Sequence, residues 1–138
     1  DIKAVQIGGP LGGLVPISKI NDLTIDFESF SSQGFLLGHA SIVSVPSDYP
    51  IMKFIEHLFD FAAYESCGKC FPCRLGTKRG QELAEKALTS DYKIDKKLFT
   101  DLLTTLEQGS LCAHGGGIPL PVRNALQYFD DELRHYFN

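Results

Sequence analysis

Three cysteines, Cys67, Cys70 and Cys73, stand in the stretch ESCGKCFPCRLG at a C-x-x-C-x-x-C spacing, and the fourth, Cys112, lies far downstream in SLCAHGGG. Thiolates at every third position of one loop can take three corners of a cuboidal iron–sulfur cluster and leave the fourth corner to a remote ligand. Four thiolates also suit tetrahedral zinc, whose cysteines mostly come in pairs from two separate loops. The three-plus-one division therefore favours iron–sulfur, with zinc as its rival and inert or disulfide-bonded cysteines as the third reading. Pro72 stiffens the turn and removes one backbone N–H from it.

Other candidate groups are weaker. Lys69, Arg74, Lys78 and Arg79 surround the cysteine loop. They are either solvated surface charge or cations that raise the potential of an anionic cluster. His114, two residues after Cys112, is a ligand only if the site is mixed. His39, His57 and His135 lack an acidic or nucleophilic partner at a telling spacing. Glu65 and Asp60 read as helix surface charge near the site. No Ser-His-Asp or Cys-His pattern can be assigned, so no catalytic residue is expected. GGPLGG matches neither the dinucleotide fingerprint nor the phosphate loop, so no NADH-binding or FMN-binding residue is expected in this chain.

The elements that must position these cysteines change character along the chain. Residues 1–48 favour strands and turns. Ile2–Ile7 alternates weakly and enters the GGPLGG turn, Leu14–Ile20 and Leu23–Phe27 read as short extended segments, and Ala40–Val45 alternates with period two up to Pro46. Residues 49–138 switch to helical periodicity. Ile51, Phe54, Ile55, Leu58 and Ala62 share one helix face behind the start signal Ser47-Asp48-Tyr49-Pro50. A second helix is expected over Arg74–Leu88, where Gly76 and Gly80 leave a bare face suited to another backbone or to the cluster. A third is expected over Asp95–Gln108, followed by a loop SLCAHGGGIPLP and a fourth helix opened by Pro121. Four amphipathic helices with short connections imply an antiparallel bundle. In such a bundle the first and third connections fall at one end, which would bring Cys112 beside the other three cysteines. The fold class expected is α+β, a small sheet followed by the bundle.

Composition bounds the function. The chain has 138 residues, 43% hydrophobic and 22% charged, with a net charge of −4. That is the balance of an ordinary folded domain, and its acidity gives no attraction for nucleic acid. No apolar run approaches the ~20 residues of a membrane-spanning helix, so no direct membrane insertion is expected, and no signal peptide is recognisable. The localisation expected is cytoplasmic, extending to the cytoplasmic face of a membrane complex. The strand-like opening without an initiator methionine suggests a fragment, a processed chain or an excised domain.

The motifs ESCGKCFPCRLG and SLCAHGGG, with AVQIGGPLGGLVP and DFESFSSQGFLLGHASIVSV before them, carry a resemblance. The chain resembles the C-terminal part of the NADH-binding flavoprotein subunit of respiratory complex I, and the related diaphorase subunits of NAD-linked hydrogenases and formate dehydrogenases. The resemblance implies a ubiquitin-like β-grasp, soluble-ligand-binding segment over 1–48 and a four-helix bundle over 49–138. It implies that Cys67, Cys70, Cys73 and Cys112 bind a 4Fe–4S cluster that takes electrons from a flavin. FMN and NADH would be held by an upstream domain missing from this sequence. The implied partners are that flavin-bearing domain, a thioredoxin-like 2Fe–2S subunit and a ferredoxin-like iron–sulfur subunit. Two features depart from the family: His39-Ala40-Ser41 replaces a small glycine-rich turn, and the tail ends at Asn138 without the further cysteines of some diaphorases. The reading is a non-catalytic electron relay of an NADH-dependent oxidoreductase; the alternative is a structural zinc or metal-free module that docks a partner subunit.

The missing fingerprint makes a direct prediction. Calorimetric titration of this chain alone with NADH and with FMN should be silent, and micromolar binding of either would contradict the relay reading.

Overall fold

In the computed structural model, which describes residues 1–138, the alternating N-terminal stretch forms the central strand of a small sheet. β1 (Ile2–Ile7) pairs antiparallel with β2 (Gly13–Pro16) and with β3 (Ile42–Pro46), in the order β2-β1-β3. GGPLGG is the turn between β1 and β2. Register opposes Val5 to Val15 and Ala4 to Val45, so equivalent faces coincide. Ala4, Leu14 and Val45 face the main core, while Val5, Ile7 and Val15 pack with Phe30, Phe35 and Leu37 in a smaller cluster.

Two expected extended segments are different. The strand β2 stops at Pro16, and Ile17–Asp22 is a 3-10 helix. Leu23–Phe27 runs into α1 (Phe27–Ser32), because the Asp26 carboxylate accepts the Ser29 N–H at 2.6 Å and caps the new helix. A polar cap here outweighs the strand preference of the apolar residues around it. In the departing tripeptide His39-Ala40-Ser41, Ala40 takes φ 61°, in the region that glycine occupies more readily.

The helical half follows the periodicity closely. α2 (Ile51–Glu65) buries Ile51, Met52, Ile55, Leu58, Phe59 and Ala62. Its first N–H, that of Ile51, is bonded at 2.7 Å by Glu132 from the far end of the chain, whose other oxygen takes Lys3 at 2.8 Å. α3 (Phe71–Thr89) starts earlier than expected, because Pro72 fits the first turn, where its missing N–H costs nothing. α4 (Lys96–Gly109) is capped by Asp95, which accepts the Leu98 N–H at 2.9 Å. The expected loop SLCAHGGGIPLP contains the short α5 (Ala113–Gly117) and the start of α6 (Pro119–Tyr128). The expected fourth helix breaks at Phe129, and α7 (Asp130–Leu133) restarts with three acidic residues in its first turn, where the helix dipole favours them. Seven α-helices and one three-stranded sheet thus make a mixed α+β fold. Asn124, 4% exposed on α6, joins the two parts: its Oδ1 accepts the Leu14 N–H and its Nδ2 donates to the Gly34 carbonyl, both at 3.1 Å.

The bare face of α3 is filled by side chains, not by a backbone or a cofactor. Leu106 of α4 lies over Gly76, and the Phe59 ring of α2 lies over Gly80, where a Cβ would meet ring carbons at 2.4 Å. Phe59 has no room to retreat: it is fully buried and meets Phe99 of α4 edge-on, with ring centroids 6.0 Å apart. Gly80→Ala should therefore be destabilising despite alanine's better helix propensity. Overpacking of about 1–3 kcal/mol opposes about 1 kcal/mol of propensity gain, and denaturant unfolding should show a net loss of up to about 2 kcal/mol.

Candidate metal centre

α2 ends at Glu65, and the chain then turns through Ser66–Lys69 before α3 begins. Cys67 sits in that turn, Cys70 occupies the N-cap of α3, and Cys73 lies in its first turn. The C-terminus of α4 delivers Ser110 and Leu111 to the same place, and Cys112 occupies the N-cap of α5. All four cysteines line one cavity of about 310 Å³, together with Glu65, Ser66, Lys69, Leu111 and His114. Cys67 and Cys112 are exposed, Cys70 is half-buried and Cys73 is buried; none is in a disulfide. The two cysteine segments, distant in the chain, thus meet at one cavity.

The loop is tied by its own polar groups. The Ser66 hydroxyl accepts the Gly68 N–H at 3.2 Å and lies 3.3 Å from the Cys73 sulfur. Arg74 donates to the Gly68 carbonyl at 2.9 Å while its guanidinium stacks 4.6 Å above the Phe71 ring. Lys78 and Arg79 turn away, bonded to Gln81 and Glu82. Of the four cations around the loop, only Lys69 lines the cavity, and Arg74 holds the loop beneath it. Asp60 does not reach it.

Backbone amides act directly on one sulfur. The N–H of Leu111 is the main influence holding the Cys70 thiol below its ordinary pKa; the N–H groups of Cys73 and Cys70 and the charge of Arg74 add to it.

His114 has a structural role. Its Nε2–H donates to the Ala62 carbonyl at 2.9 Å, since a carbonyl can only accept, and its ring packs on Phe61 with centroids 6.4 Å apart. This bond anchors α5 to the end of α2. Gly115 permits the close approach that follows: a Cβ there would lie 2.7 Å from the Cβ of Cys73 and 2.4 Å from Ser110 Oγ. The Ser110 hydroxyl is buried there without a partner. Ser66 and Leu111 lie inside the two cysteine motifs, but cysteine spacing gives neither a role. Only Ser66 carries a local signal, a hydroxyl two residues before a glycine N–H, as in a serine turn.

The donor set is soft and anionic when deprotonated, which suits iron–sulfur or zinc. No three His, Cys, Asp or Glu side chains converge as ligands of a single ion, whereas tetrahedral zinc would hold its sulfurs about 3.8 Å apart, from Zn–S bonds of ~2.3 Å. The cavity is roughly ten times the ~30 Å³ share of one water molecule. A slightly larger cavity of about 340 Å³, between β3 and α2, is lined by His39, His57, Tyr49, Phe54 and Phe61, and no cysteine reaches it.

Known proteins with this pattern are multi-subunit oxidoreductases. The family described as the NADH-ubiquinone oxidoreductase-F iron-sulfur binding region matches residues 53–136. The NADP-reducing hydrogenase subunit HndC of Solidesulfovibrio fructosivorans is 31% identical over 94% of this chain and 26% of its own length. The mitochondrial NADH-ubiquinone oxidoreductase 51 kDa subunit of Aspergillus niger is 28% identical over 96% of this chain and 27% of its own length. A crystal structure of NAD+-reducing [NiFe]-hydrogenase in the H2-reduced state superposes with a TM-score of 0.85 at 26% identity, covering 99% of this chain and 23% of that one. The chain thus spans about a quarter of the length of these relatives.

The lowered Cys70 pKa has a measurable consequence in metal-free protein. A depressed pKa keeps the thiolate populated to lower pH, so site-resolved alkylation of Cys70 followed by mass spectrometry should have its midpoint below that of a cysteine in an unstructured peptide measured alongside. A midpoint at or above that value would contradict the Leu111 contact.

Proposed function

The chain belongs to the NADH-ubiquinone oxidoreductase-F iron-sulfur binding family, and we propose that within it Cys67, Cys70, Cys73 and Cys112 hold one 4Fe–4S cluster that relays electrons. The observation that carries this assignment is the set of four thiols around one cavity, three from one turn and one from a second segment, a division suited to the corner irons of a cuboidal group. When bound, such a cluster supplies one-electron acceptance and release, which lets the two electrons of a hydride carrier move on singly.

The protein's own residues provide the holding and the environment. Cys70 at the N-cap and Cys73 on the first turn of α3 are fixed by a helix, and Cys67 by the Ser66–Gly68–Arg74 bonds. Cys112 is fixed at the start of α5 by the His114 anchor and the Gly115 contact. The Leu111 N–H directed at Cys70, and the cation of Lys69 in the cavity wall, favour negative charge on the sulfurs.

Hydride chemistry belongs, in this reading, to a flavin and an NADH site in the part of the longer relatives that this chain does not span. The partners it calls for are that flavin-bearing domain, a thioredoxin-like 2Fe–2S subunit and a ferredoxin-like iron–sulfur subunit. The place of work is the cytoplasm or the cytoplasmic face of a membrane complex; no helix is long and apolar enough to cross a membrane. Residues 1–48 form a β-grasp-like segment and residues 49–138, with α2, α3, α4 and α6 as the long helices, an antiparallel four-helix bundle.

Iron and acid-labile sulfide measured on anaerobically prepared protein test this function, with EPR of the reduced form. Close to four of each per chain is expected. Cys112→Ala should hold at most a three-iron species, and full iron content with an unchanged spectrum in that variant would sink the ligand set. A colourless protein containing zinc and no sulfide would instead establish the structural-zinc alternative.

A further inference from the structure

Cys73 differs from the other three cysteines in being 6% exposed, so its sulfur is shielded from water and depends on protein groups for hydrogen bonds. Only one side-chain group is within reach of it, the Ser66 hydroxyl at 3.3 Å. We propose that Ser66 is a positioning residue that donates its O–H to the Cys73 thiolate and thereby raises the reduction potential of the cluster. This inference rests on the four-thiolate reading above.

The direction of the bond follows from counting donors. A serine hydroxyl has one hydrogen and two lone pairs. One lone pair is used by the Gly68 N–H, at 3.2 Å. The remaining contact with Cys73 can run either way in a free thiol, but a metal-bound thiolate carries no proton. Only the Ser66 O–H is then left to donate. The Gly68 bond also aims the hydroxyl, since it fixes the oxygen at the point where α2 ends and the cysteine turn begins.

The effect on potential follows from charge. A reduced cluster carries one more negative charge, delocalised over its sulfurs, and a hydrogen-bond donor stabilises the reduced form more than the oxidised one. At an exposed sulfur, water replaces a lost donor. At Cys73 it cannot, so deletion of this hydroxyl should be felt in full. The same bond bridges the C-terminal end of α2 and the first turn of α3, and so contributes to holding the turn that carries Cys67.

The test compares Ser66→Ala, Ser66→Thr and Ser66→Val, prepared anaerobically and analysed for iron, sulfide and midpoint potential by EPR-monitored redox titration. Threonine and valine have the same shape and differ in the hydroxyl. With full clusters, the Ala and Val midpoints should fall by roughly tenfold in the one-electron equilibrium, 59 mV for one electron, while Thr stays near the wild type. Unmoved potentials in fully loaded Ala and Val variants would overturn the proposal and leave the four-cysteine assignment standing. Loss of the cluster from Ala and Val but not from Thr would support the bond through its holding role. Loss from all three would assign the effect to the size of serine and overturn it. A wild-type protein that assembles no cluster would instead overturn the reading beneath it.

Discussion

The Phe59 ring seated over Gly80 is the contact on which the rest of this structure depends. It brings α2 and α3 close enough to share a core, and its edge-on meeting with Phe99 brings α4 into the same layer. Three helix ends follow from that one constraint: the C-terminus of α2, the N-terminus of α3 and the C-terminus of α4 lie at the same end of the molecule. The cysteines are placed at or just beyond those ends. A rigid core a few turns away therefore sets the separation of thiols of which two, Cys67 and Cys112, are exposed. This is how an exposed turn acquires the precision that metal binding demands.

Around the cavity, the protein uses few formal charges and several short polar contacts. Two of the four neighbouring cations bond elsewhere along α3, while the Leu111 amide, the Ser66 hydroxyl and the Gly115 approach act at the sulfurs or their carbons. Backbone amides suit this task because they are fixed by the fold and need no counter-ion. His114 illustrates the same economy: a histidine beside a cysteine is an apparent ligand, yet its proton is committed to the Ala62 carbonyl and its ring to Phe61.

The sheet is more than an appendage. Ala4, Leu14 and Val45 contribute to the main core, Asn124 bonds both Leu14 and Gly34, and Glu132 reaches from α7 to cap α2 and pair with Lys3. The N-terminal residues thus buttress the helix that leads into the cysteine turn. Disturbance at the sheet would be transmitted to α2 through its capped first turn.

Sequence alone determined the cysteine spacing, the β1 and β3 strands, and the buried face of α2, because these rest on local periodicity and residue chemistry; on α3 and α4 it put Leu75 and Leu98 on the apolar face, and both are exposed. It also determined the family, since ESCGKCFPCRLG and SLCAHGGG are read directly. It misread Leu23–Phe27 because a single Asp26 cap redirects a β-favouring stretch into α1, and it read SLCAHGGG as loop because three glycines conceal the short helix α5. It read the bare face at Gly76 and Gly80 as suited to another backbone or to the cluster, whereas side chains occupy it. Tertiary structure alone decided that Leu106 and Phe59 do, that Cys73 is buried while Cys67 and Cys112 are exposed, and that Leu111 and Ser66 face the sulfurs. The physical reason is common to all of these. Burial and hydrogen-bond partners depend on residues distant in the chain, and no local pattern encodes a contact whose other half arrives from another helix.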